Sequence, residues 1–199
     1  MLARFLIIMS LILVLGGCST TPGDAASRGG QPEQAADLYH RGAEQGDALA
    51  AFKLGKLVEN KRVSSNVFGS AGSWYIKGCN LGDSTSCHNA GVGYEKGSIG
   101  LPKDLEKALT YYLRAAKRGY MQSQYNVGSF YSMEYFKNDI EGYKWLLLAD
   151  EAARSCISTP LCKWVLNDPP GHKKKLRGRM STGQISEAEK LAKSWTVEK

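Results

Sequence analysis

The chain repeats itself with a period of 36 or 37 residues, and this periodicity restricts its fold more than any other feature. Three independent series of residues share the period. They are Gly55, Gly91 and Gly128; Tyr39, Tyr75 and Tyr112; and Gly46, Gly82 and Gly119. A period of this length is typical of solenoids, in which each repeat is one supersecondary unit that buries its apolar face against its neighbours.

The residues around these series follow helical spacing. Ala35 lies four residues before Tyr39, and Ala108 lies four residues before Tyr112, with small residues at the next turn. Such spacing marks one face of a helix and not the alternation of a strand. The sequence therefore predicts an all-α fold, a right-handed α-solenoid of about three helix-turn-helix repeats.

The helices can be placed from the same pattern. The first helices of the repeats are predicted at 49–60, 85–97 and 121–135, and the second helices at 34–45, 70–81, 104–118 and 140–154. Near the C-terminus, Ser181 and Gln184 suit a capping box. An apolar stripe follows them, which predicts a terminal helix that caps the stack: Ile185, Ala188, Leu191, Ala192 and Trp195.

The N-terminus has the features of an export signal. Arg4 precedes an apolar run from Phe5 to Leu15 that only Ser10 interrupts, and small residues lead to Cys18. Eleven residues are too few to span a bilayer comfortably as a permanent helix. A charged start, a short apolar segment and small residues before a cleavage site predict a signal peptide at residues 1–17.

The string LGGC, which ends at Cys18, resembles the lipobox of bacterial lipoproteins. The resemblance implies that Cys18 carries the lipid, and Ser19 after it implies sorting to the outer membrane. Several acyl chains together give stable anchoring. The alternative is a soluble periplasmic protein with an incidental cysteine at this position. Residues 18–32 are small, polar and broken by prolines, which predicts a lipidated flexible tether before a repeat domain at 33–199.

The charge distribution argues against a nucleic-acid partner. The formal net charge is +7, but removing Arg4 with the signal peptide takes away one charge, and residues 172–179 carry five of the others. The rest of the mature chain is therefore nearly neutral. A groove for nucleic acid needs a broad basic surface, so we expect no nucleic-acid partner.

Residues 87–119, CHNAGVGYEKGSIGLPKDLEKALTYYLRAAKRG, resemble the Sel-one-like repeats, a branch of the tetratricopeptide superfamily. The similarity extends over residues 33–155. It implies an α-helical scaffold without a cofactor. Exported members of this family act as assembly adaptors, signalling scaffolds or neutralising partners, and some such lipoproteins protect the producer against secreted toxic effectors.

Four cysteines remain after Cys18. The string GCNLGDSTSC, from Gly78 to Cys87, resembles the cysteine-rich exported branch of the family, where a pair at this spacing joins adjacent helices. The resemblance implies a disulfide between Cys79 and Cys87. A disulfide between Cys156 and Cys162 is inferred only from their closeness in the sequence and from the even number of cysteines that remain after Cys18. Exported chains oxidise such pairs, and free buried thiols are the alternative.

Catalytic patterns are scarce. His40, His88 and His172 occur singly, without a second ligand type at metal spacing, so we expect no metal site. Some proteins of the cysteine-rich branch are described as penicillin-binding or β-lactam-hydrolysing. No serine stands three residues before a lysine in this chain, and no Lys-Thr-Gly string occurs. The serine mechanism therefore lacks its nucleophile and base, and we expect no enzyme.

Two sets of residues are candidates for contacting a partner. The first is aromatic, and we expect its members to be partly exposed or to line the concave side: Trp74, Tyr111 and Trp145. The second is the basic run, with Lys173, Lys174, Lys175, Arg177 and Arg179. This run is interpreted as a solvated connection, with contact to an acidic protein patch or to anionic lipid as alternatives.

Together these features predict a lipid-anchored, periplasm-facing repeat scaffold that binds a protein partner, attached to the membrane through its anchor. An immunity or inhibitor protein against a secreted effector is the most specific form of this hypothesis. An envelope assembly or host-contact factor is the alternative, and a β-lactam-binding enzyme is a more remote one.

Overall fold

The computed structural model describes residues 21–198, and the predicted signal peptide and Cys18 lie outside this range. The described residues form helices and no strand. The helices are α1 (Pro22–Arg28), α2 (Pro32–Glu44), α3 (Ala48–Glu59), α4 (Ser65–Phe68), α5 (Ala71–Asn80), α6 (Ser84–Lys96), α7 (Leu105–Lys117), α8 (Met121–Ser132), α9 (Asp139–Arg154), α10 (Pro160–Asn167), α11 (His172–Arg179) and α12 (Thr182–Lys193).

The helices stack in chain order. Within each repeat a first helix packs on a second, as α3 does on α5, α6 on α7 and α8 on α9, and α5 and α7 each pack on the next repeat as well. The predicted all-α solenoid is confirmed. None of the helices between residues 21 and 198 is both long and apolar enough to cross a membrane.

A contact between a glycine and an aromatic ring recurs in successive repeats. The glycine lies on the first helix, and a Cβ built there would overlap the ring of a tyrosine on the second helix. These virtual Cβ atoms lie 2.5 Å from the Tyr39 ring at Gly23, 2.8 Å from the Tyr75 ring at Gly55 and 2.7 Å from the Tyr112 ring at Gly91. In the last repeat Leu146 replaces the tyrosine, 2.5 Å from the Cβ position of Gly128. The glycines therefore set how closely the two helices approach.

Each of these tyrosines also donates a hydrogen bond back to the first helix. The acceptors are Asp24 for Tyr39 at 2.7 Å, Glu59 for Tyr75 at 2.6 Å and Glu95 for Tyr112 at 2.5 Å. A buried phenol without a partner is costly, so these carboxylates allow the rings to be buried. The third periodic series forms the turns between repeats, where Gly46, Gly82 and Gly119 have φ of 91°, 104° and 82°.

The N-terminal prediction needs a correction, because residues 22–28 form a helix instead of part of a flexible tether. Thr21 begins α1 with a capping box to Asp24. Gly23 and Asp24 supply the glycine and the carboxylate of the first repeat. The sequence pattern did not reveal them because Gly23 precedes its tyrosine by 16 residues, whereas Gly55 precedes Tyr75 by 20.

The C-terminal region also differs from the prediction in part. The capping box of Ser181 and Gln184 is present, and α12 packs on α9 as the expected cap. Ala188 of the predicted apolar stripe is fully buried, but Leu191 is 38% exposed. Helix α10 was not predicted, and residues 172–179 form α11 and not a solvated connection.

The glycine contact predicts the effect of Gly91→Ala. The added methyl group would overlap the Tyr112 ring, and overpacking of this kind lowers the free energy of unfolding by about 2 kcal/mol. The control is Gly178→Ala in α11, where nothing lies within 4 Å of the Cβ position. That variant should be unchanged or slightly more stable, since alanine favours helices. Thermal unfolding followed by circular dichroism compares the two, and equal stability of both variants would contradict the role of the glycine.

Candidate partner-binding groove

A groove runs between the first helices of the third and fourth repeats and is closed on one side by α10. It encloses a cavity of about 210 Å³. We define the groove by His88, Val92 and Glu95 of α6, Gln122 and Asn126 of α8, and Leu161 and Trp164 of α10.

The base of the groove is the packed core of the repeats. Tyr112 lies there, and its hydroxyl holds the carboxylate of Glu95 in place. Burial, with this hydrogen bond, holds the pKa of Tyr112 well above its usual value, so the phenol stays a donor. Tyr125 is also buried at the base, and its hydroxyl donates to Asp168 at 2.8 Å. The shape of the groove is therefore fixed by hydrogen bonds beneath it.

The apolar wall depends on a disulfide. Cys156, just after α9, is bonded to Cys162 in the first turn of α10, with a Cα–Cα distance of 5.9 Å. Trp164 follows in the same helix and packs edge-on against Tyr125, with ring centroids 4.9 Å apart. It is nevertheless 44% exposed, and Leu161 beside it is 40% exposed. The disulfide thus holds an exposed apolar surface next to the groove.

His88 provides a neutral ring at the α6 side. Its Nδ1 lies 2.9 Å from the hydroxyl of the buried Ser123, and its ring lies against Tyr120, with centroids 4.9 Å apart. Burial lowers the pKa of His88 to about 4. The imidazole is therefore uncharged near neutral pH and contributes polarity without charge.

These groups together suit an extended peptide. The amides of Gln122 and Asn126 each offer a donor and an acceptor, which is what main-chain N–H and C=O groups need. Trp164 and Leu161 line the same groove and offer contact area for an apolar side chain. Asn126 lies 37 residues after Asn89, so this amide occupies an equivalent position in two repeats.

The aromatic candidates from the sequence lie elsewhere. Trp145 is only 2% exposed, because the last residues of the chain return over α9 and bring Trp195 to within 6.1 Å, measured between ring centroids. Trp74 is 8% exposed, and its indole N–H donates to the carbonyl of Phe68 beside it. The predicted exposure of both was wrong. Tyr111 is half-buried and stacks on Tyr94 outside the groove.

The basic candidates divide into two groups. Lys173 forms an ion pair with Asp150 at 2.8 Å, and Arg179 forms one with Asp139, so both hold α11 onto α9. Lys174, Lys175 and Arg177 are exposed. Arg177 nevertheless donates a hydrogen bond to the Tyr143 hydroxyl of α9 at 3.2 Å, so three of the five charges are used within the fold.

The structure pairs all four cysteines that it describes. Cys79 and Cys87 are bonded with a Cα–Cα distance of 4.5 Å, and both are fully buried where α5 meets α6. No group of residues suited to hold a metal ion occurs within residues 21–198. His172 lies at the start of α11 and contacts the hydroxyls of Ser129 and Ser132 at 3.1 and 3.0 Å.

Sequence reasoning missed Trp164, Gln122 and Asn126. The equivalence of Asn89 and Asn126 was a usable signal, since both lie two residues before a glycine of the first series. Trp164 had no such signal, because it lies after the last repeat and its position depends on the disulfide.

The fold and the groove define an all-α repeat scaffold. A model described as Sel1 repeat matches residues 23–47, 48–83, 84–120 and 122–149, which is more than half of the chain. The chain therefore belongs to the Sel1 repeat family, whose repeats mediate protein–protein interaction. The first match begins at residue 23, in agreement with α1.

Two solved structures share this fold. One is a protective antigen present in uropathogenic Escherichia coli strains, displaying an SLR fold, with a TM-score of 0.61, 20% identity and coverage of 87% of this chain and 39% of that one. The other is a Sel1 repeat protein from Oxalobacter formigenes, with a TM-score of 0.54, 24% identity and coverage of 67% and 56%. The chain thus spans less than two thirds of either. No curated protein matches it significantly in sequence.

The half-buried His88 predicts a loss of stability in mild acid. Its pKa is about 4 in the fold, against 6.5 when unperturbed, so only the unfolded chain binds the proton between these values. The free energy of unfolding should therefore fall by up to about 3 kcal/mol from pH 6.5 to pH 4. His88→Gln should remove this part of the pH dependence, while His40→Gln, at a half-buried position outside the groove, should keep it. Titration of His88 near pH 6.5 in the folded protein, measured by NMR, would contradict the assignment.

The disulfide at α10 predicts a local effect of its removal. The double variant Cys156→Ser and Cys162→Ser should lose about 2 kcal/mol of stability, because the short loop is no longer closed. Its α10 amides should exchange with deuterium faster than in the wild type. The double variant Cys79→Ser and Cys87→Ser is the control and should leave exchange in α10 unchanged. Unchanged protection of α10 in the first variant would show that the disulfide does not position this helix.

Proposed function

We propose that this chain is a scaffold, lipid-anchored through Cys18 and facing the periplasm, that binds an extended segment of a protein partner in the groove. The observation that carries the proposal is that Trp164 and Leu161 line the same groove as the amides of Gln122 and Asn126. Apolar anchors beside main-chain-binding amides are a common arrangement for peptide recognition on a rigid surface.

The described part of the chain offers less support for catalysis. Sel1 repeat proteins are generally non-catalytic scaffolds. The groups lining the groove are amides, apolar side chains, two tyrosines, a neutral imidazole, the exposed amine of Lys96 and one carboxylate that accepts a phenol hydrogen bond. Such a set favours recognition over covalent chemistry.

The proposed location rests on the sequence and on the cysteines. The apolar run before LGGC predicts export and lipidation, with Ser19 favouring the outer membrane. The two disulfides of the described region support an oxidising compartment such as the periplasm.

In its most specific form, the proposed partner is a secreted effector that the scaffold neutralises. The support is the combination of export, anchoring and the family resemblance, and it comes from no single residue. Deleting the gene distinguishes this role from envelope assembly. If the deletion strain is killed by neighbouring wild-type cells of the same strain while its permeability barrier stays intact, the result supports neutralisation. If the deletion strain has a leaky envelope when it is grown alone, the result supports assembly.

The groove predicts which substitution weakens partner binding. Trp164→Ala should weaken binding by about 2 kcal/mol or more, roughly 30-fold, because a buried aromatic anchor contributes most at an interface. Tyr135→Ala is the control, since Tyr135 is 74% exposed but outside the groove. Affinity capture from a periplasmic fraction, followed by titration of the captured protein, should give a partner that both wild type and the control bind. Equal binding by Trp164→Ala would place the interface elsewhere.

A further inference from the structure

We infer that the N-terminal end of the helix stack lies directly on the phospholipid surface, with Arg41 and Leu49 facing the headgroups. The inference rests on the proposed lipid anchor at Cys18. It goes beyond that proposal because it assigns the surface that meets the membrane and fixes how the solenoid is oriented there.

The first argument is the length of chain between the lipid and the fold. Thr21 is the N-cap of α1, only three residues after Cys18. An extended chain spans at most about 3.6 Å per residue, so the two Cα atoms are separated by no more than about 11 Å. A tether reaching to Pro32 would have allowed about 50 Å. The folded repeat therefore has little freedom to move away from its anchor.

The second argument is that α1 is a fixed part of the stack. Asp24 accepts hydrogen bonds from the Tyr39 hydroxyl at 2.7 Å and from Lys53 Nζ at 2.5 Å. The bond from Lys53, together with that from Tyr39, holds the pKa of this carboxyl well below its usual range. Gly23 lies against the Tyr39 ring, as the equivalent glycines do in later repeats. Helix α1 therefore does not serve as an additional linker.

The third argument is the chemistry of this end of the stack. Helix α1 has seven residues, whereas α3 has twelve, so the first repeat is incompletely covered. A cavity of about 380 Å³ opens there, lined in part by Leu38, Arg41, Asp47, Leu49 and Lys53. Lys53 is paired with Asp24, and Asp47 accepts the N-terminal amides of α3, which leaves Arg41 as the charge without a partner among these lining residues. Leu49 is 49% exposed. The exposed Arg41 beside the exposed Leu49 suits an interface at which phosphate groups lie above the upper acyl chains.

This orientation has a consequence for the groove. The groove lies in the third and fourth repeats and α10, at the opposite end of the chain order from α1. With the first repeat on the lipid surface, Trp164 is held away from it, where a periplasmic partner can reach it.

The test measures which end of the lipidated protein lies near the membrane. The full-length lipoprotein is purified after expression and placed in vesicles of phosphatidylethanolamine and phosphatidylglycerol that carry a headgroup nitroxide quencher. A clickable amino acid with a fluorophore replaces Leu49 in one preparation and Leu191, an exposed leucine of α12, in the other. We expect several-fold stronger quenching at position 49 than at position 191.

A second preparation tests the short connection itself. A flexible glycine-serine linker of about ten residues, inserted between Ser19 and Thr20, should reduce quenching at position 49 towards the value at 191. Equal quenching at both positions without the linker, or no response to it, would overturn the inference. The mass of the N-terminal peptide is measured in each preparation. A peptide without acyl chains would overturn the proposed anchor, and this inference with it, whereas acylation with equal quenching would overturn this inference alone.

Discussion

The contact between a glycine on one helix and a tyrosine ring on the next is the interaction on which the stack depends. It works because two requirements are met together. The missing Cβ at Gly91 lets the Tyr112 ring approach the helix backbone, and Glu95, one turn further on, accepts the hydroxyl. Close packing would be costly if the phenol were buried without that carboxylate. Repeating both features fixes the distance and the rotation between helices in one repeat after another.

This dependence explains how much of the fold the sequence predicts. Gly55, Gly91 and Gly128 recur at a nearly constant interval, so the helices between them could be placed to within a few residues. Helix α1 makes the same glycine–tyrosine contact. Its Gly23 precedes Tyr39 by only 16 residues, however, so it does not fall in the series of glycines that recur every 36 or 37 residues. Helices α10 and α11 follow no repeat, and their positions depend on the Cys156–Cys162 disulfide and on the ion pair between Lys173 and Asp150.

The candidate site was harder to predict for a related reason. Helical spacing tells which residues share a face, but it does not tell what covers that face. Trp145 lies on a face that Trp195 covers, although fifty residues separate the two in the chain. Trp164 lies in a helix without repeat features, and a disulfide leaves it exposed. Of the three groove residues that sequence reasoning missed, Asn126 carried a periodic signal, because it belongs to the repeat itself.

A stack in which each repeat contacts only its neighbours leaves its two ends free to differ. Here both ends depart from the repeat, and in opposite ways. At the N-terminus the first helix is shortened, which exposes Leu49 and brings the start of the fold close to Cys18. At the C-terminus three added helices cover the last repeat, and one of them forms a wall of the groove. Since the repeats between them are held by similar local contacts, a change at the N-terminal end need not disturb the geometry of Trp164. The middle of the chain is therefore best understood as a rigid spacer between two surfaces of different chemistry.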